Sequence, residues 1–128
     1  MLESPTPCGA WRLLVRTLGP EPDLGGEVMA LARLDDDGAV TVHVGAALTP
    51  GVGSWRPAGP GRVVVVAEWF VRTQGGRSRG RVSVRVAAEL SPDGRTCLGR
   101  VQWCRFDLSG RPDGPAVAGE VEAARLEA

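Results

Sequence analysis

The chain has 128 residues, with 15 basic and 15 acidic side chains. This length suits a single domain with a usable core, and the balanced charge argues against a general binder of nucleic acid or of an anionic membrane surface, neither of which would be attracted. No apolar run reaches the roughly 18 residues of a spanning helix, and the opening MLESPTPCGAW lacks the charged and apolar regions of a secretory signal, so a cytoplasmic protein is expected.

Strand signals recur along the chain, divided by turn chemistry in which Pro presets φ and Gly supplies positive φ. Residues 1–8 read as an extension before a single domain. The first strand is Gly9 to Thr17, with Trp11, Leu13 and Val15 opposing Arg12 and Arg16. After Gly19-Pro20 and Gly25-Gly26, EVMALARL and AVTVHVG form a hairpin across Asp35-Asp36-Asp37-Gly38. VGSWRP is a short fourth strand, set between Pro50-Gly51 and the Pro57–Gly61 turn. RVVVVAEWFVRT and RGRVSVRVAAEL follow on either side of Gln74-Gly75-Gly76, and in the latter Val82, Val84 and Val86 share one face. Beyond Ser91-Pro92-Asp93-Gly94 comes TCLGRVQWCRFD, and beyond Pro112-Asp113-Gly114 comes PAVAGEVEAARLEA. The last segment contains good helix formers. Its alternation of Val117, Gly119, Val121 and Ala123 with Ala118, Glu120 and Glu122 favours a strand.

One apolar and one wet face per strand, with short links, describes an antiparallel sheet over a single core. The expected fold is all-β: an eight-stranded antiparallel up-and-down barrel, in which the last strand pairs with the first so that no edge is left exposed.

Gly9-Ala10-Trp11 at the head of the first strand resembles the Gly-x-Trp signature of the lipocalin/calycin barrels. In that group the Trp plugs the closed end and an Arg near the end of the last strand packs across it. The resemblance therefore implies a structural plug of Trp11 and Arg125, stacked as a cation–π pair. A second Gly-x-Trp, Gly53-Ser54-Trp55, is similar to the avidin-type branch and to small bacterial lipocalin-like proteins. The chain departs from secreted lipocalins in its shorter length and in lacking a signal peptide and an evident disulfide.

If the interior is a pocket, the inward rows supply the ligand-binding candidates Leu13, Met29, Val42, Trp55, Val65, Trp69, Val84 and Trp103. For Trp69 and Trp103, ligand lining and plain core packing remain equal alternatives. Glu68 interrupts an apolar run, and His43 is the only histidine; both are weak catalytic candidates, because alternation turns them outward beside Phe70 and Thr41. Gln102, beside Trp103, follows the same logic.

The three cysteines, Cys8, Cys97 and Cys104, match no zinc spacing. Cys97 and Cys104 lie about 23 Å apart in one strand, too far to bond. No metal or cofactor is expected. Every basic residue is Arg, and Lys, Tyr, Ile and Asn are absent, a bias that fits a GC-rich genome. The group Arg72, Arg77, Arg79 and Arg81 therefore reads as a solvated hairpin tip before it reads as an anion grip.

No hydrolase, phosphate-loop or dinucleotide fingerprint is present. Three functions follow from the barrel. It could enclose one small, mainly apolar or polyketide-like molecule. It could be a cyclase or isomerase of natural-product biosynthesis acting by preorganisation, as some bacterial calycin-like barrels do. Or it could be a filled, oligomerising module such as a homodimer.

Overall fold

The computed structural model describes residues 5–17, 27–45, 50–72 and 78–126, with the backbone alone for Thr17, Arg72, Ser78 and Arg79. Eight strands follow in chain order: β1 (Gly9–Thr17), β2 (Glu27–Leu34), β3 (Ala39–Val44), β4 (Gly51–Pro57), β5 (Arg62–Arg72), β6 (Ser78–Leu90), β7 (Thr96–Phe106) and β8 (Val117–Arg125). Each pairs antiparallel with its sequence neighbour, and β8 returns to β1, which closes an up-and-down barrel. The last segment is a strand from Val117 to Arg125, hydrogen-bonded on both sides. Its helix formers yield to two flanking ladders, because tertiary pairing outweighs local propensity. No helix among the described residues is long and apolar enough to cross a membrane.

The register fixes which face looks inward. Trp11, Leu13 and Val15 lie opposite Ala32, Ala30 and Val28, so these rows share the interior. The expectation for Met29 is corrected here. It pairs with Leu14 on the outer face and is 52% exposed. Met29 shares its face with Glu27, Leu31 and Arg33, whereas Val28, Ala30, Ala32 and Leu34 form a wholly apolar face, and the pairing with β1 turns that apolar face inward.

At the end where β1 begins, the barrel is shut. The β2–β3, β4–β5 and β6–β7 turns lie there, together with residues 5–8. Arg125, register partner of Trp11, sets its guanidinium 4.3 Å over the indole. The same group donates to the carbonyls of Gly94 at 3.0 Å, of Thr6 at 2.7 Å and of Cys8. Trp11 Nε1 donates to the Pro7 carbonyl at 2.9 Å. Residues 5–8 thus act as a strap across the closed end rather than a loose extension. The β6–β7 turn is itself held by Asp93, which accepts from Ser91 Oγ at 2.6 Å and from the Arg95 amide at 3.0 Å. These bonds hold the Asp93 carboxyl below its ordinary range.

The glycine of the first Gly-x-Trp has a steric cause. Gly9 has φ of 124°, and a Cβ there would come within 2.8 Å of an Arg125 guanidinium nitrogen. In the second, a Cβ on Gly53 would lie 1.8 Å from the Val66 carbonyl oxygen, so β4 can bend against β5 only without a side chain.

Arg125→Ala is expected to lower stability by about 2–4 kcal/mol in urea unfolding, from loss of the stack and of charge-assisted bonds to three carbonyls. Arg125→Lys is expected to recover little, since one ammonium cannot reproduce the planar fork. Unchanged midpoints would contradict this account of the closed end.

Candidate binding cavity

Eight-stranded barrels are just narrow enough for side chains to fill them. This one is not filled, because several inward positions carry alanine: Ala30 and Ala32 on β2, Ala67 on β5, Ala88 on β6 and Ala123 on β8. They leave a cavity of about 90 Å³. Its walls are Val, Ala, Leu, Trp, Pro7 and Cys97, so no lining side chain carries a charge or an oxygen atom. A space of this kind disfavours water, which needs two to four polar partners to be held.

Six of the sequence candidates line the cavity: Leu13, Val42, Val65, Trp69, Val84 and Trp103. Trp69 and Trp103 meet edge to face, with ring centroids 6.5 Å apart and planes at 86°, a favoured aromatic geometry. Met29 is outside the barrel, as described above. Trp55 is also not part of the lining. It is half-buried against the core, and its Nε1 donates to the Asp35 carbonyl at 2.6 Å, which fastens β4 to the β2–β3 turn. Trp11, read as a plug, also forms part of the cavity wall. The alanines lining the cavity are not among the sequence candidates, which are bulky residues expected to face inward. The signal was present as small residues recurring at alternate positions, Ala30 and Ala32, opposite the Trp11 row.

The titratable candidates lie elsewhere. His43 is exposed on the outer face of β3. Glu68 is outward on β5 and pairs with Arg81 at 3.4 Å; this pair is solvent-exposed and worth little. Gln102 is exposed on β7. Of the arginine group, Arg77 and the side chains of Arg72 and Arg79 lie outside the described residues, as do the Gly19-Pro20, Gly25-Gly26 and Gln74-Gly75-Gly76 turns. Arg81 lies 4.3 Å over the Phe106 ring as well as beside Glu68. Among the described residues, no cluster of His, Cys, Asp or Glu could hold a metal ion.

Cys97 is the one titratable group in the cavity wall. Burial pushes its thiol up to about 11, against a smaller opposing pull from Arg125. A neutral thiol is a weak nucleophile, and Cys97 here behaves as a small apolar filler. All three cysteines are free.

No protein-family model, curated protein or solved structure matches the chain.

The Cys97 thiol gives a pH test. In the unfolded chain a thiol ionises near about 8.5, before the native one does. Its stabilising contribution is therefore full below that pH and is lost as pH rises through about 11. With no Lys or Tyr in the chain, thiols are the only side chains titrating in that window. Unfolding free energy is expected to fall by about 2–3 kcal/mol between pH 8 and pH 11, and Cys97→Ala is expected to flatten most of that slope. A slope that persists unchanged in the variant would contradict the assignment.

Proposed function

We propose that the barrel binds one small, mainly apolar molecule inside its alanine-lined cavity. The observation that carries this reading is an interior left unfilled although valine or leucine at the same positions would fill it. Leaving such space open costs stability, on the order of 24 cal/mol per Å³ in engineered cores. The closed end, with Trp11 stacked under Arg125 and one apolar space in the barrel interior, supports a calycin-like binding barrel.

Size narrows the occupant. The cavity of about 90 Å³ is smaller than the roughly 150 Å³ apolar cavity that takes up benzene and well below the roughly 300–1,000 Å³ of drug-sized sites. It suits a compact molecule of five or six heavy atoms, or the end of a longer chain, better than a whole polyketide. Binding is favoured over cyclisation for the same reason, since a preorganising cyclase must enclose the full reacting portion of its substrate. With His43 and Glu68 on the outer face, turnover in this space would have to come from shape alone.

The test is a titration with 2-methyl-1-pentene, followed by tryptophan emission, because Trp69 and Trp103 stand in the cavity wall. The wild-type protein is expected to give a saturable change. Ala67→Leu, which fills the space from the middle of β5, is expected to weaken binding at least about tenfold while raising or preserving the melting temperature. A wild-type protein that shows no saturable response would overturn the reading.

A further inference from the structure

The cavity runs between two aromatic levels of the barrel. Toward the closed end it reaches Pro7 and Trp11. Toward the far end, where β7 connects to β8, its last lining residues on β5 and β7 are Trp69 and Trp103. Val28, Val71, Val82 and Val117 are inward residues nearer the far end on β2, β5, β6 and β8. All four pack with the core, and none of them lines the cavity.

Trp69 is braced on two sides. A Cβ on Gly51, the first residue of β4, would lie 3.3 Å from Trp69 Cε3, so the missing side chain lets the indole rest against β4. On its other flank the ring meets Trp103 of β7 edge to face, with centroids 6.5 Å apart. The two indoles form a bar that reaches from β4 to β7. Ala67 lies one inward position below Trp69 on β5 and is part of the cavity wall. A large ring above a small residue leaves room beneath it and none through it. A side chain in contact on both flanks moves only if its neighbours move.

We infer that Trp69 is the specificity-determining residue that limits the length of the occupant. The cavity takes a compact apolar molecule of about six heavy atoms, held between the Trp11 and Trp69 levels, and excludes longer homologues of it. This inference rests on the binding reading above and decides between its two occupants, the compact molecule and the end of a longer chain. Each methylene that finds apolar room strengthens binding about fourfold. Three added to one end of an occupant would then bring a gain of about sixtyfold. Beneath a braced ring that gain is lost, because the added carbons must displace packed side chains.

The test compares 2-methyl-1-pentene with 2-methyl-1-octene, which adds three methylenes to the same head. Each is titrated into the wild-type chain and into Trp69→Ala. Free ligand is read from the vapour above the solution, a measurement that needs no tryptophan signal. The wild-type protein is expected to bind the octene no more tightly than the pentene. In Trp69→Ala, which removes the ring, the preference for octene over pentene is expected to rise at least about tenfold. General loosening of the barrel would weaken both probes together and leave their ratio unchanged. A smaller rise in the ratio, or a wild-type protein that already gains the full sixtyfold from the longer chain, would overturn the role of Trp69 while leaving the binding reading intact. If neither probe binds the wild-type protein, the binding reading falls and this inference falls with it. If circular dichroism shows that Trp69→Ala is unfolded, Trp69→Leu takes its place, with a rise of at least about threefold expected and a smaller rise counting against the role.

Discussion

A sheet of eight strands has two edges, and each edge carries a row of backbone N–H and C=O groups in need of partners. Here β8 meets β1 over seven register positions, from Trp11 opposite Arg125 to Thr17 opposite Gly119. That pairing places every strand between two neighbours and turns one face of each strand toward a common interior. The inward rows, the closed end and the cavity all depend on it. Because Arg125 is the last residue of β8 and the partner of Trp11, the closing ladder also delivers the guanidinium to the indole. The strap of residues 5–8 is then fixed by three bonds from Arg125 and Trp11.

The closed end and the cavity use the same residue types differently. At the closed end, polar atoms are matched: the guanidinium has three carbonyls and the Trp11 N–H has Pro7. Higher in the barrel the cavity walls are purely apolar, and among the described residues the buried Trp103 Nε1 has no hydrogen-bond partner. A protein under selection for stability alone would fill the alanine positions. Leaving the space open is costly in the free chain, and an apolar occupant of suitable shape would remove that cost.

Much of this was legible in the sequence. The strands lie within a residue or two of where alternation and Pro/Gly punctuation place them, apart from the end of β8, because each strand has one apolar face and most turns contain Gly. The outward placement of His43 and Glu68 follows from the same alternation. What the sequence withheld came from pairing. In EVMALARL the bulky Met29 and Leu31 lie on the face that also carries Glu27 and Arg33, and the register with β1 shows that the smaller Ala30 and Ala32 face in. Trp55 reads as an inward aromatic, yet its indole is drawn to a turn carbonyl that no local pattern reveals. The cavity itself is a volume left by side chains on several strands, and the unmet N–H of Trp103 is visible only once its surroundings are assembled.

The central claim is that the interior between the alanine rows is a dry, unfilled space open to an apolar guest. A crystal structure determined under xenon pressure tests it most directly, since xenon enters apolar cavities without needing a polar partner. The account predicts a xenon site enclosed by Ala30, Ala67, Trp69 and Trp103, with the walls unmoved. A barrel that excludes xenon, with side chains collapsed across the interior, would contradict it.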